Sequence, residues 1–389
     1  MADGSDQLTI EMVEGMSAIN QDDWSTLLAA TSSVYHPFLD YRFLSALEAS
    51  SSVGSGTGWQ PCHLIARRGG ALVGAAPLYL KQHSYGEFVF DHHWADAYER
   101  AGGRYYPKLL CAAAFTPATG PRLLVASKID KELLAQALQE VATKLSVSSV
   151  HVNFTTEEDR DRAKDANFHI REGIQYHWEN DGYTSFDDFL AALASRKRKA
   201  IRRERRNANE SGLTIRQVTG SDISEADWDA FWHFYQDTGQ RKWGSPYLTR
   251  SFFRMIGETM SDKILLNMAD RDGVPIAGAL NMIGGDTLYG RYWGCTEYHA
   301  FLHFELCYYQ AIDYAIVHGL SRVEAGAQGE HKLARGYAPV KTYSAHWFQD
   351  PGFHAAIEKY LDAERDHTDA EVTALADFVP FKKTDHSQS

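Results

Sequence analysis

Residues that could carry acid–base chemistry are concentrated in one stretch near the end of the chain, which reads RVEAGAQGEHKLARGY from Arg322 to Tyr337. A short strand there gives way at Gly326 to a polar loop, and ligands of α/β proteins bind beyond the carboxyl ends of strands. Glutamate and histidine can exchange protons, and lysine and arginine can hold developing negative charge. We predict an active site in this loop, with a solvated turn as the alternative. The loop residues predicted to form the site are Gln328, Gly329, Glu330, His331, Lys332 and Arg335.

The helical pattern that precedes this strand, residues 302–319, offers one more acid. Glu305 and Tyr308 lie three positions apart and can share a helix face. We expect that face to reach the cleft of His331, so Glu305 joins His331 and Glu330 as a candidate base. A surface glutamate above a core tyrosine is the alternative.

A second group of residues is strongly basic. The segment 195–206 reads SRKRKAIRRERR and carries +8 − 1 = +7, so the rest of the chain carries −12 − 7 = −19. Like charges at helical spacing repel one another, so we predict that they hold phosphate, on RNA, on a nucleotide-linked substrate or at an anionic surface. A solvated face is the alternative. Two neighbouring helical faces share these cations, one with Lys199, Arg203 and Arg206 and the other with Arg198, Arg202 and Arg205.

The segment 240–247 places cations beside an aromatic ring. Lys242 and Trp243 could hold a phosphate and stack on a flat group, and we include both as substrate-binding candidates. The alternative is a connecting loop in which Trp243 packs on the core.

The sequence DHHWAD, residues 91–96, resembles a metal site because it combines two histidines with two aspartates. We expect a strand to end here, on which His92 and His93 would point to opposite faces and could not share one ion. We therefore predict no metal, and assign Asp91 and His92 to the polar wall of a pocket.

Several classes of protein are excluded by composition and motif. The 389 residues are 44% hydrophobic, which is enough for a substantial core, and contain neither GxSxG nor GxxxxGK[ST]. The four cysteines form no CxxC, and a net charge of −12 argues against a general DNA-binding protein. Without a signal sequence or an apolar run long enough to cross a bilayer, we expect a cytoplasmic protein.

Strands and helices alternate in a way that predicts a mixed α/β fold. We expect hairpins at 63–81 and 264–283, a strand at 87–90 and one long helix from Ser185 through the basic segment. The turn GGALVGA at 69–75 matches GVPIAGA at 273–279, an offset of 204 positions, and the same order of elements follows each. We predict two tandem domains, 1–182 and 213–389, joined by a basic helical linker at 183–212.

Local sequence blocks along nearly the whole chain carry a family resemblance. In the first half they are 37–39, 43–48, 58–61, 90–98, 103–108 and 115–117, and in the second half they are 242–244, 290–294, 303–305 and 326–332. Together with the tandem layout of acetyltransferase-like (GNAT) domains, these blocks resemble the FemAB-like group of predicted N-acyltransferases, which is related to the FemAB/FemX aminoacyltransferases.

The resemblance implies an N-acyltransferase that passes an acyl or aminoacyl group to an amine without a covalent enzyme intermediate. It implies no permanently bound cofactor, a peptide or small-molecule amine as acceptor, and aminoacyl-tRNA or acyl-CoA as the donor. No Gln/Arg-x-x-Gly-x-Gly/Ala turn follows the strand at 287–294 to cradle the CoA pyrophosphate. An acyl-CoA-dependent enzyme and a non-catalytic module that binds nucleotide-linked or RNA ligands are the alternatives.

Roles follow from the chemistry that such a transfer needs. An amine must lose a proton, which His331, Glu330 or Glu305 could accept. The carbonyl oxygen becomes an anion that Lys332 or the backbone of Gly329 could stabilise. The remaining substrate-binding candidates are Arg335, Gln328, Arg291, Trp293, Lys242, Trp243, Asp91, His92, Arg198, Arg202 and Arg203.

Overall fold

The computed structural model describes residues 7–127, 130–210, 212–242, 246–326 and 329–382. The chain folds into two compact units. The N-terminal unit comprises the described parts of Met1–Gly173, Tyr247–Met255 and Lys341–Asp369, and the C-terminal unit those of Ile174–Pro246, Ile256–Val340 and Ala370–Ser389.

The described strands, in chain order, are β1 (Leu8–Val13), β2 (Trp59–Pro61), β3 (His63–Arg68), β4 (Ala71–Ala76), β5 (Leu78–Lys81), β6 (Lys108–Cys111), β7 (Leu124–Val125), β8 (Ser149–Thr155), β9 (His169–Glu179), β10 (Thr214–Thr219), β11 (Ile264–Arg271), β12 (Val274–Ile283), β13 (Thr287–Cys295), β14 (Arg322–Glu324) and β15 (Ala338–Phe348).

The described α-helices, in chain order, are α1 (Gln21–Thr31), α2 (Tyr41–Ala49), α3 (His92–Arg100), α4 (Asp130–Leu145), α5 (Glu157–Asp165), α6 (Phe186–Ala192), α7 (Ser195–Asn209), α8 (Glu225–Lys242), α9 (Arg250–Met260), α10 (Leu302–Phe304), α11 (Gln310–Val317) and α12 (Pro351–Ala376). A π-helical turn, Glu305–Tyr309, links α10 to α11, and a 3₁₀ helix, Glu330–Arg335, follows β14.

The N-terminal unit contains two strand assemblies. One has the antiparallel order β1-β3-β4-β7, and the other runs β2-β5-β6-β8-β15, where only β6 and β8 are parallel. Helix α4 connects β6 to β8, as a parallel pair requires. Apolar residues of both strands, among them Leu109 and Val150, pack with Leu134 and Leu138 of α4. The other sheet face of β6 and β8 carries buried polar residues, among them Lys108, His151 and Asn153.

The C-terminal unit has the same arrangement of strands around a parallel pair. Its order is β10-β11-β12-β13-β14-β9, in which β13 and β14 are parallel and joined through α10 and α11. Ile312 and Ala315 recur at helical spacing on α11 and are fully buried with Val323 of β14. Burial of a side chain such as Ile312 is worth about 1.5–3 kcal/mol, so this face fixes the helix on the sheet.

The predicted α/β architecture and both hairpins are confirmed, but three local predictions were wrong. Residues 87–90 form no strand, and His92 and His93 begin α3, where the helical spacing of Trp94 and Tyr98 prevails. The long helix from Ser185 is two helices, α6 and α7. It breaks because the Leu193 backbone bridges to Phe381 and the Ala194 amide donates to the Pro380 carbonyl. Strand β15 was not anticipated.

Candidate active site

The parallel pair β13–β14 of the C-terminal unit opens into a wedge. The two strands pair only over 287–289 and 322–324, after which β14 ends at Glu324 while β13 continues to Cys295. A bulge leaves Arg291 as the extra residue of β13, because Tyr292 faces Leu280 and Gly290 faces Asn281 of β12. Bulges bend a strand and are common beside active sites. The chain after β14 therefore enters the space beyond the pair.

A tight turn at Gly329 positions His331 and Lys332, two of the predicted loop residues. Gly329 has φ +119°, which residues with a side chain rarely adopt, and a Cβ built there would lie 2.6 Å from Cε1 of His331. The 3₁₀ helix Glu330–Arg335 begins directly after it. Glycine is thus needed at position 329 to bring His331 and Lys332 to their positions.

Lys332 is the buried cation of this turn. Its side chain is 1% exposed, and Nζ donates a 2.8 Å hydrogen bond to the carbonyl oxygen of Gly326. Burial lowers the pKa of Lys332 to about 8. An ammonium held by a neutral carbonyl retains its charge for another anion.

His331 lies at the exposed side of the same turn. Its Nε2 is 2.9 Å from the hydroxyl of Tyr308, whose pKa burial raises so far that the hydroxyl stays protonated. Partial burial, helped by the charges of Arg335 and Lys332, lowers the pKa of His331 below its usual value. The imidazole is therefore neutral near pH 7 and able to accept a proton.

Aromatic rings line the turn and connect it to β13. The His331 ring lies 5.7 Å from the Phe304 ring and 6.2 Å from the His303 ring, and His303 packs at 5.2 Å against Trp293 of β13. His303 thus contacts both Trp293 and His331. His303 belongs to a sequence block noted above but was not assigned to the site.

The Glu305 carboxylate is hydrogen-bonded to the basic helix α7. It is fully buried, and Arg205 of α7 donates to both of its carboxylate oxygens at 3.0 and 3.2 Å. Gln310 donates a further 2.8 Å bond to Oε1. With its oxygens engaged, Glu305 fixes α7 to the π-helical turn.

A second contact joins α7 to the turn. Glu204 accepts from Arg335 Nη2 at 2.9 Å and from the Tyr309 hydroxyl. Arg335 also donates at 2.7 Å to the His331 carbonyl, and its guanidinium lies 3.4 Å from the centre of the Phe304 ring. Arg335 therefore bridges α7 and the turn that carries His331.

Sequence reasoning missed Glu324 and His177, which face each other across β14 and β9. The Glu324 carboxylate lies 3.9 Å from His177 Nε2, and both residues are 5% exposed. Burial raises the pKa of Glu324 to about 8. Its position at the last residue of β14 puts a carboxyl group at the wedge. The available signal was the alternation of the strand, which turns Val323 to the core and Glu324 to the other side.

The other predicted residues have different positions. Arg291 is half-buried beside Tyr292 at the bulge, Arg198 is half-buried, and Arg202 and Arg203 are exposed. Asp91 and His92 belong to the N-terminal unit, where Asp91 is 1% exposed and His92 is exposed. Outside the described residues or side chains lie Gln328, Trp243 and the side chains of Glu330 and Lys242.

Asp91 is part of a buried charge cluster. Lys108 Nζ donates to Asp91 at 2.5 Å, to Glu87 at 2.8 Å and to Ser84 at 2.7 Å, and the lysine is fully buried. Burial alone would lower the Lys108 pKa, but the two carboxylates outweigh it and raise that pKa to about 12. Lys81, the cross-strand neighbour of Lys108, lies over Trp59 at 3.7 Å. Each acid of this cluster thus forms an ion pair with a buried lysine, although Glu87 Oε1 and Asp91 Oδ1 accept no hydrogen bond from a described residue.

Two general properties concern the described residues alone. No group of three or more histidine, cysteine, aspartate or glutamate side chains among them is arranged to hold a metal ion. None of the helices in those parts of the chain is both long and apolar enough to cross a bilayer.

Comparison with known protein families assigns the chain to a family. A model of the FemAB-like family, described as peptidoglycan biosynthesis/recognition, matches residues 15–383. Comparison with curated proteins gave no match.

Solved structures share the fold. A crystal structure of FemX aligns with TM-score 0.55 and 15% identity over 87% of this chain and 98% of the other. The C-terminal domain of a putative lysylphosphatidylglycerol synthetase from Agrobacterium fabrum aligns with TM-score 0.52 and 10% identity over 88% and 96%. A tandem GNAT protein from clavulanic acid biosynthesis aligns with TM-score 0.46 and 12% identity over 89% and 99%. The predicted tandem GNAT-like fold is thus confirmed, and the chain belongs to the FemAB-like family.

Proposed function

We propose that the protein is an N-acyltransferase that passes an acyl or aminoacyl group to an amine at the wedge of the C-terminal unit. The observation that carries this proposal is the position of Lys332, a buried ammonium beyond the end of β14, beside the neutral imidazole of His331. Membership of the FemAB-like family and its GNAT-like fold support the same reaction class.

The reaction needs no covalent intermediate on the enzyme. The acceptor amine loses a proton to His331 Nε2 or Nδ1 as its nitrogen attacks the donor carbonyl carbon. The C=O electron pair moves to oxygen, and the Lys332 ammonium stabilises the resulting oxyanion. When the tetrahedral intermediate collapses, the bond to the leaving oxygen or sulfur breaks and that atom takes the proton from the imidazolium. All electrons and protons are then accounted for.

Two donors fit this scheme. We propose an aminoacyl ester on tRNA as the donor, because the cations of α7 lie on the helix that holds the turn and could meet its phosphates. Acyl-CoA is the other candidate, and the acceptor is a peptide or small-molecule amine. No cofactor takes part in these steps.

The proposal is tested by replacing Lys332 with methionine, which keeps the volume of the side chain and removes its charge. We expect transfer from radiolabelled aminoacyl-tRNA or acyl-CoA to a panel of amines to fall by about 10²–10³-fold, the usual cost of losing one oxyanion donor. Lys263→Met, at a lysine paired with Asp262 in the same unit, is the matched control and should retain its rate. Equal rates for Lys332→Met and wild type would refute the assignment.

A further inference from the structure

Helix α7 presents a stripe of unpaired cations to solvent. Arg196, Lys199, Arg203 and Arg206 are three or four positions apart, so they lie along one face, and all four are exposed. None of them makes an ion pair with a residue that the structure describes, whereas Arg202 beside them pairs with Asp187 at 3.0 Å. The stripe is about 15 Å long, since a helix rises about 1.5 Å per residue.

The charges are arranged against the helix's own electrostatics. The first turn of α7 contains Arg196, Lys197 and Arg198, no acidic residue, and no side-chain cap on Ala194. Cations at a helix N-terminus are unfavourable because the free amides there already carry positive potential. An external anion would relieve both this end and the stripe.

The opposite face of the same helix contacts the elements that form the proposed active site. Ile201 and Ala208 are buried there, and between them Glu204 and Arg205 make the contacts to Arg335, Tyr309, Glu305 and Asp313. Arg335 in turn holds the His331 carbonyl. One helix thus presents the cationic stripe on one face and, on the opposite face, makes the contacts that hold the turn of His331 and Lys332.

We propose that the stripe of α7 binds a phosphodiester strand, and that the Glu204–Arg335 bridge transmits this binding to the turn at Gly329–Tyr337. Glu204 and Arg335 are then positioning residues. A nucleic-acid strand carries one negative charge per nucleotide, so the four cations of the stripe can neutralise up to four phosphates. An anionic membrane fits less well, because the stripe contains no apolar side chain that could enter a bilayer.

Binding is measured with fluorescein-labelled oligouridylate by anisotropy over a range of salt concentrations, on the full chain. Four contacts predict that the logarithm of the binding constant falls with the logarithm of salt at a slope of about −3. The double variant Lys199→Gln/Arg203→Gln should halve that slope. Lys144→Gln, a 76% exposed lysine of the N-terminal unit, is the matched control and should change nothing.

Transmission is measured by hydrogen exchange of the backbone at Gly329–Tyr337. Oligouridylate should slow exchange there in the wild type. In Glu204→Gln, and separately in Arg335→Gln, the oligonucleotide should still bind with the wild-type slope but leave exchange in the turn unchanged.

Other results would overturn the inference. A slope unaffected by Lys199→Gln/Arg203→Gln, or binding to phosphatidylglycerol vesicles without binding to oligouridylate, would remove the phosphodiester site. Protection of the turn that persists in both bridge variants would remove the transmission. The inference rests on the proposed function, which places the donor's phosphates on α7, and it adds the transmission through Glu204 and Arg335. Neither measurement requires acyl transfer, so the two can fail separately.

Discussion

The two units differ at the same structural position, the end of the parallel strand pair. In the C-terminal unit, β14 ends three residues into its pairing with β13, and the glycine-bounded turn of Lys332 fills the space beyond. In the N-terminal unit, β8 continues past β6 to Thr155, and the backbone of Gly120 bridges to it, with the Gly120 amide bonded to the Phe154 carbonyl at 3.0 Å. The turn that carries Lys332 follows one strand pair, and the backbone of Gly120 closes the end of the other.

Further hydrogen bonds stabilise the chain around Gly120 at the end of the N-terminal strand pair. Arg122, fully buried, donates to the carbonyls of Asn153 and Ala118 at 2.9 and 2.7 Å, and Asp159 accepts from the Arg122 and Leu123 amides. Lys108 and Lys131 of the N-terminal unit are paired with buried carboxylates, whereas the described hydrogen-bond partner of Lys332 in the C-terminal unit is a neutral carbonyl. Breaking a buried ion pair is costly, whereas a buried cation beside a neutral group can meet negative charge that develops on a substrate.

The largest effect that would test this contrast is on stability. Lys108→Met removes the cation that pairs with Asp91 and leaves Glu87 only the more distant Lys81, at 3.7 Å, so we expect the free energy of unfolding to fall by about 3–5 kcal/mol. Chemical denaturation with urea measures the loss. The transfer rate per folded molecule should be unchanged, and a large drop in that rate would mean that the N-terminal cluster takes part in the reaction.

Next in size is the effect of Gly329→Ala. The new Cβ would lie 2.6 Å from the His331 ring at a backbone conformation of φ +119°, so the imidazole must move. We expect kcat to fall about 10- to 100-fold, since a misplacement of about 1 Å can cost that much. Gly120 offers the comparison: Gly120→Ala, which meets the His36 ring at 2.4 Å, should lower stability but not kcat. A fall in kcat for Gly120→Ala but not for Gly329→Ala would mean that the active site lies in the N-terminal unit.

The pH profile tests the state of Lys332. Its folded pKa is lowered to about 8, so the ammonium is present below that pH and lost above it. We expect the transfer rate to fall as pH rises through about 8, by up to tenfold per unit, and the decline to be absent in Lys332→Arg, whose charge persists. A rate that keeps rising from pH 7 to 10 in the wild type would show that the neutral amine is the active form.

The smallest effect concerns Glu324. Its folded pKa is raised to about 8, above the value of an unfolded glutamate, so its contribution to stability is complete at low pH and is lost as pH rises through about 8. Wild-type stability should fall by roughly 1 kcal/mol between pH 6 and 7, where the unfolded glutamate is ionised and the folded one is not, and Glu324→Gln should flatten this decline. Unfolding curves at pH 6 and 7, compared for the two proteins, test this prediction.

Periodicity and turn residues predicted the hairpins, α4, α11 and the loop after β14, because each is set by local spacing. The closed end of the N-terminal strand pair could not be predicted, since it depends on Gly120 meeting a strand more than thirty residues away. The pairing of Arg205 with Glu305, a hundred positions apart, is equally non-local. Helical spacing assigned Arg205 to a face but could not show which face turns inward. The alternation of β14 was available for Glu324, but it could not show that the side opposite Val323 is buried as well.

Hydrogen exchange with a non-reactive donor analogue, in which an amide replaces the reactive ester, tests the central claim most directly. The account predicts slower exchange at Tyr289–Trp293 and Gly329–Arg335, and no change at Lys108–Cys111 or Ser149–Thr155. Protection of the N-terminal strand pair, with the C-terminal wedge unchanged, would contradict it.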